Sequence, residues 1–219
     1  MCFTYRLSLP NATDPMRLLL ATMAFILALP AAAQPFIEGQ HYSRIDPPQP
    51  TQSGDKIEVV EVFLYTCPSC NRLAPLIADW KTRKADDVAF QAVPAGWDGG
   101  SEAFARAHYA AEVLGVLDRA HNALFDAIHR DGTKFQSVEQ LAAWFTQFGV
   151  DIDDMNKAMT SFAVNNKIAN AATRIPRWGV GGVPTIIVNG KYRFDPTQTG
   201  GHARVIELID HLVAQERGN

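Results

Sequence analysis

Cysteine is scarce in this sequence, with three in 219 residues, at positions 2, 67 and 70. So few cannot form the dense disulfide framework of a small stapled scaffold. There is no second Cys-x-x-Cys, and the six histidines (His41, His108, His121, His129, His202, His211) show no His-x3–5-His spacing. The usual structural zinc pattern is therefore missing, and no metal site is expected. Neither sign of charge dominates, since 20 Lys and Arg stand against 23 Asp and Glu. A net charge of −3 gives no electrostatic reason to expect nucleic acid or an anionic membrane surface as partner. Internal repeats and low-complexity tracts are absent.

Long apolar runs are equally rare. The one candidate is Leu18 to Leu29, interrupted only by Thr22, preceded by Met16-Arg17 and followed by Pro30 and Ala31-Ala32-Ala33. Twelve residues cannot cross a hydrocarbon core ~30 Å thick. A basic start, a short apolar run and an A-x-A end predict a cleavable secretory signal over residues 1–33. Pro10, Asn11 and Asp14 put polar material ahead of it, so translation starting at Met16 is the alternative reading. Cleavage after Ala33 would leave 186 residues, remove two arginines and one aspartate, and take the charge to −4. The expected product is a soluble exported protein with Cys67 and Cys70 as its only cysteines.

The stretch 34–56, with Pro35, Pro47, Pro48 and Pro50, reads as an extended lead-in. Ile57 to Tyr65 is β-branched, aromatic and nearly continuous in apolar character, as a strand buried on both faces should be. Leu73, Leu76, Ile77 and Trp80 then recur at helical spacing to about Lys84, with Pro75 expected to kink that helix. A second strand is predicted over Val88 to Val93. Helices follow, one capped by Ser101 to about Gly115 and another from Asp118 to about Arg130. Ser137-Val-Glu-Gln140 is a capping box for a third, ended by Gly149. Further helices are predicted from Asp151 to Thr160 and from Phe162 to Arg174. Strands return at Thr185–Val188 and Tyr192–Phe194 around an Asn189-Gly190 hairpin turn, and a closing helix spans about Gly201 to Gln215. Trp80, Trp97, Phe104, Trp144 and Phe145 are read as core residues, and His108, His121 and His129 as satisfied or exposed rather than catalytic.

A Cys-x-x-Cys between a buried strand and a helix has a chemical meaning. Cys67 falls at the N-cap and Pro68 at the first helical position, where its missing N–H costs nothing. The amides of Ser69 and Cys70 are then expected to face the Cys67 sulfur and, with the helix dipole, to stabilise a thiolate. That is the attacking and leaving form in disulfide exchange. Cys70, one turn in, is the resolving thiol. Half a zinc site and an inert structural disulfide are the competing readings. Far along the chain, Gly181-Gly182-Val183-Pro184-Thr185 precedes an apolar strand, and a proline so placed takes either the cis or the ordinary trans peptide. Glu61 shares a strand face with Val59 and Phe63. If buried, its carboxyl has a raised pKa and could pass a proton to Cys70; the alternative is a side chain reaching solvent at the sheet's rim.

Glu61-Val-Phe-Leu-Tyr-Thr-Cys-Pro-Ser-Cys70 together with Gly182-Val-Pro-Thr-Ile-Ile-Val-Asn-Gly-Lys-Tyr192 resembles the DsbA family of disulfide oxidases. The likeness includes Gly39, Tyr42, the helical block and the Gly149-Val150 step. It implies an α/β thioredoxin fold with an inserted all-helical domain: residues 34–97 and 175–219 form the thioredoxin part, and 98–174 the insertion. It also implies a periplasmic monomer that needs no cofactor or metal. Such an enzyme donates the Cys67–Cys70 disulfide to reduced exported proteins and is reoxidised by a DsbB-type, quinone-linked membrane protein. Val183 and a cis Pro184 would bind substrate beside the cysteines, and an acid at Glu61, often paired in the family with a lysine not identifiable here, would serve Cys70. Pro68 and Ser69 would tune the pair. The family usually has histidine where Ser69 stands, so Ser69, which brings no charge, implies a weaker oxidant. The rival readings are a disulfide isomerase or reductase, and a binding or holdase protein whose cysteines are a staple. Residues 34–56 are too short for the dimerisation domain that isomerases of this fold usually carry.

Overall fold

The computed structural model describes residues 36–218; the signal predicted over 1–33 lies outside the described residues. The lead-in is less featureless than its prolines suggest. It contains a two-residue strand, β1 (Ser43–Arg44), that pairs antiparallel with a strand near the other end of the chain. After it come β2 (Ile57–Phe63), α1 (Pro68–Arg83) and β3 (Val88–Pro94). Helix α1 continues through Pro75 to Arg83. A block of helices follows: α2 (Gly99–Val113), α3 (Leu117–His129), α4 (Val138–Trp144) with a 3₁₀ turn at Phe145–Phe148, α5 (Ile152–Met159) and α6 (Phe162–Arg177). The chain then returns to the sheet with β4 (Thr185–Val188) and β5 (Tyr192–Phe194), a short α7 (Pro196–Thr199) and α8 (His202–Arg217). No described helix is long and apolar enough to cross a membrane.

The sheet order is β1-β5-β4-β2-β3, with β2 parallel to β3 and antiparallel to β4. Alternation along β2 sorts its side chains by face. Val59 packs with Leu73, Ile77 and Trp80 of α1 and with Val205, Leu208 and Leu212 of α8. Val60 and Val62 pack with Ala171 and Ile175 of α6 and with Trp178. Phe63, Tyr65, Cys70 and Ala74 join the core of the helical block instead. The two acids of β2 are three apart, so they point to opposite faces, and both are only 2% exposed. Burying a charged carboxylate costs several kcal/mol, more than the ~1.5–3 kcal/mol that one neighbouring valine returns. Each acid therefore needs its own arrangement.

Two helix starts differ from the sequence expectation. Asp98, not Ser101, caps α2: its carboxylate accepts the Ser101 amide at 2.7 Å, while the Ser101 hydroxyl accepts the Asp98 amide at 3.0 Å. A carboxylate is the stronger acceptor, so the cap moves three residues back and serine closes the box from the far side. Helix α3 starts at Leu117 without a side-chain cap, and Asp118 lies inside the first turn, where its charge complements the dipole. Ser137 does cap α4, accepting from the Gln140 amide at 3.2 Å, but the Gln140 side chain accepts from the Gln136 amide rather than closing on Ser137. Trp97, expected in the core, is 51% exposed in the loop before Asp98, whereas Trp80 and Phe145 are buried.

The hairpin turn is as its sequence demands. Asn189 and Gly190 both have positive φ, 50° and 64°, the conformation that matches strand twist. A Cβ on Gly190 would also collide with the Gln49 carbonyl, so glycine is required twice over. Glu216 of α8 pins the hairpin by accepting from Asn189 Nδ2 at 2.6 Å and Lys191 Nζ at 2.7 Å.

Candidate active site

Cys67 is the N-cap of α1, and its sulfur accepts the Cys70 amide at 3.4 Å, with Pro68 in the first turn. Of the two amides expected at the sulfur, the Cys70 N–H is the one that bonds it. Both thiols are free, Cys67 partly exposed and Cys70 fully buried. Of the two sulfurs, that of Cys67 is the one a solvent thiol can reach. The Val183 carbonyl oxygen lies 3.5 Å from Cys67 Sγ, and Val183-Pro184 is a cis peptide. The two segments singled out in the sequence, 116 residues apart, are thus in contact at one sulfur. A second cis bond, Asp46-Pro47, lies in the lead-in. Among the described residues, no group of three or more His, Cys, Asp or Glu side chains is placed to hold a metal ion.

Behind the exposed sulfur the surroundings turn dry. Glu61 is buried rather than at the rim, and burial raises its carboxyl from the ordinary 4.5 to about 8, with the Lys81 charge pulling the other way. Lys81 acts on Glu61 by its charge, while its ion pair is with Asp118 at 3.8 Å. It stands on α1, fourteen residues after Cys67 in the chain, and lines a cavity of about 490 Å³ that His108 and His121 also line. Burial pushes the Cys70 thiol up as well, and the Glu61 charge adds to that shift. The carboxyl keeps its proton at neutral pH, and the thiol, which feels that carboxyl electrostatically, resists losing one.

Tyr65 organises the histidines. Its hydroxyl lies 3.0 Å from His108 Nδ1 and 2.9 Å from His121 Nδ1, and its backbone carbonyl accepts from His129 Nε2 at 2.7 Å. A hydroxyl has one hydrogen to give. Tyr65 therefore donates to one of the two Nδ1 atoms and accepts from the other ring's Nδ1–H. Burial lowers His108 well below its ordinary value and His121 to about 4.

Glu61 and His121 carry opposite pH signatures. Between pH 4.5 and 8 folded Glu61 holds a proton that the unfolded chain has lost, so stability falls as pH rises. Between pH 6.5 and 4 the unfolded chain binds a proton that folded His121 refuses, so stability falls as pH drops. At about 1.4 kcal/mol per pH unit each, the two slopes cancel where they overlap. Glu61→Gln removes the first slope. It is expected to stabilise the protein by about 3 kcal/mol at pH 7, and by almost nothing at pH 4.5. Urea denaturation at both pH values checks this; an equal gap at both would mean the carboxyl is not held protonated.

Ser69 has a neighbour that the sequence did not announce. His202, the first residue of α8, places Nε2 3.0 Å from Ser69 Oγ and 3.1 Å from the Ser69 carbonyl oxygen. No periodicity or motif links positions 133 residues apart; only the packing of α8 against α1 does. Glu58, the other acid of β2, was likewise unmarked. Its Oε1 accepts from Arg174 at 2.6 Å, and its Oε2 accepts from the Gln52 amide and the Ser53 hydroxyl at 2.8 and 2.9 Å.

Comparison with known proteins agrees with this geometry. Residues 58–212 match the profile of the DSBA-like thioredoxin domain. The thiol:disulfide interchange protein DsbA of Azotobacter vinelandii is 37% identical, over 82% of this chain and 84% of its own length. The protein of the same name from Pseudomonas aeruginosa is 35% identical, over 89% and 92%. Among solved structures, P. aeruginosa DsbA superposes with a TM-score of 0.79 at 35% identity, covering 84% of this chain and 95% of that one. The oxidoreductase DsbA of Xylella fastidiosa gives 0.79 at 35% identity, covering 85% and 100%.

Proposed function

The chain belongs to the DsbA family of thioredoxin-fold thiol:disulfide oxidoreductases, and on that premise we propose that it donates the Cys67–Cys70 disulfide to reduced, newly exported proteins in the periplasm. The observation that carries this reading is the pairing of a reachable sulfur with a buried one, capped by α1 and flanked by Val183. A substrate thiolate attacks Cys67 Sγ and breaks its bond to Cys70. The electron pair goes to the Cys70 sulfur, which is too deeply buried to remain a thiolate at low cost. Glu61, protonated at neutral pH with its value near 8, is the acid that supplies the proton. A second substrate thiolate then attacks the substrate's own sulfur in the mixed disulfide, and Cys67 leaves as the thiolate. The substrate has lost two electrons and the enzyme has gained them.

The backbone at Val183 supports a substrate segment laid beside the cysteines as an added strand, with Pro184 shaping that edge. Reoxidation falls to a DsbB-type, quinone-linked membrane protein. The enzyme acts as a monomer, delivered by the signal over residues 1–33, with the helical segment 98–174 inserted between the two thioredoxin parts. The test is the thiol state of Cys67 and Cys70 in cells, trapped by alkylation with and without the quinone-linked partner. The pair is expected oxidised with the partner and reduced without it. A pair reduced in both would instead fit an isomerase or reductase.

A further inference from the structure

We propose that His202 is a positioning residue that sets the redox equilibrium of the Cys67–Cys70 pair through the peptide group joining Ser69 to Cys70. The inference rests on the oxidoreductase reading above and assigns a regulator to that same site. With its hydrogen on Nε2, His202 donates to the Ser69 carbonyl oxygen at 3.1 Å, since a carbonyl can only accept, and the Ser69 hydroxyl, 3.0 Å from the same nitrogen, is then an acceptor too. The Ser69 carbonyl and the Cys70 N–H are the two ends of one planar peptide unit. The N–H end of that unit is the donor to Cys67 Sγ, at 3.4 Å. A continuous path thus runs from the imidazole N–H to the carbonyl oxygen, across the peptide to its N–H, and on to the sulfur.

Hydrogen bonds in such a chain polarise one another, strengthening each by roughly 10–30%. Drawing electron density to the carbonyl oxygen makes the Cys70 N–H a better donor, and a charged imidazole does this more strongly than a neutral one. The benefit is unequal between the two redox states. A thiolate at Cys67 gains from a stronger donor, whereas the sulfur of a disulfide carries no charge and gains little. His202 therefore stabilises the reduced enzyme over the oxidised one, which is what makes a disulfide a stronger oxidant.

The local structure is suited to this. Ser69 has a one-carbon side chain, so a ring from another helix reaches both its hydroxyl and its carbonyl. Gly200 and Gly201, with φ of 85° and 141°, make the turn that delivers His202 as the first residue of α8. Further along, Trp80 Nε1 and Arg83 of α1 both bond Asp210 of α8, at 2.8 and 3.1 Å, which fixes the two helices against each other. Ser69 brings no charge to the pair, and His202 brings a chargeable ring to Ser69.

The experiment equilibrates purified wild-type, His202→Ala and His202→Gln proteins with glutathione redox buffers at pH 7 and records the thiolate ultraviolet absorbance of each reduced form. His202→Ala is expected to shift the equilibrium about fivefold toward the oxidised enzyme, with a smaller thiolate signal. His202→Gln, which keeps an N–H donor, should lose less; it also stands in if the alanine variant folds poorly. Ser69→Ala removes the hydroxyl but keeps the carbonyl, so the His202 effect should persist in that background. Histidine variants that match the wild type would overturn the proposal, as would loss of the effect in Ser69→Ala. A wild-type pair that does not exchange with glutathione at all would instead sink the oxidoreductase reading beneath it.

Discussion

Alanine in place of Cys67 is expected to bring disulfide transfer down to the uncatalysed rate while leaving the fold in place. Cys67 offers the reachable sulfur, and Cys70 has no exposure through which a substrate thiol could approach it. The structural loss is confined to one cap, because the sulfur's role in α1 is to accept the Cys70 amide. Removing an N-cap acceptor costs about 1 kcal/mol, which lowers the melting temperature by roughly 2–4 °C in a protein of this size. Oxidative refolding of a reduced dithiol protein, followed beside a thermal melt, separates the two effects. Retained activity would mean that the cysteines are only a staple. Cys70→Ala should fail differently: Cys67 remains able to exchange but has no resolving partner, so mixed disulfides with glutathione accumulate and are visible by mass spectrometry.

Arg174→Ala is expected to destabilise the protein by about 3–5 kcal/mol. Arg174 is 11% exposed and Glu58 2%. Truncating the arginine leaves a buried carboxylate between the sheet and α6 without its counter-charge, held only by the Gln52 amide and the Ser53 hydroxyl. The guanidinium also bonds Gln52 and Gln91, both at 2.8 Å, and stacks 4.4 Å from the Trp178 ring. Lysine cannot reproduce that fork and stacking, so Arg174→Lys should recover only part of the loss. The double change Glu58→Gln with Arg174→Met removes both charges and should recover most of it. Urea unfolding of the wild type and the three variants makes the comparison; equal losses in Arg174→Ala and the double variant would show that the charge pair is not the cause. Domains of this kind have about 5–15 kcal/mol in total, so the single variant should be visibly marginal at 37 °C.

What the sequence made legible was whatever depends on near neighbours. The run Ile57 to Phe63 is a strand because its apolar character is nearly continuous, and Cys67-Pro68 opens a helix because those residue types suit its first turn. Asn189-Gly190 turns because both positions tolerate positive φ. Where two local signals competed, the stronger acceptor won, as Asp98 did over Ser101. Strand β1 escaped notice because two residues carry no period; it exists through its pairing with Arg193 and Tyr192. The oxidoreductase chemistry was readable from Cys67, Cys70 and the Val183-Pro184 segment together. Several contacts elsewhere in the fold were not. Lys81, Tyr65 with its histidines, Arg174 and His202 reach their partners across the fold, and only the packed structure brings them together.

The junction of α8 with α1 has a consequence in time. His202 and Asp210 are made more than 125 residues after the cysteines they help to hold. Strand β4, which borders β2, is also made late, at residues 185–188. A nascent chain that has emerged as far as the helical block therefore carries both thiols without the surroundings that govern them. On the proposed role of His202, the Cys67–Cys70 pair reaches its final redox equilibrium only once α8 has been made and packed against α1.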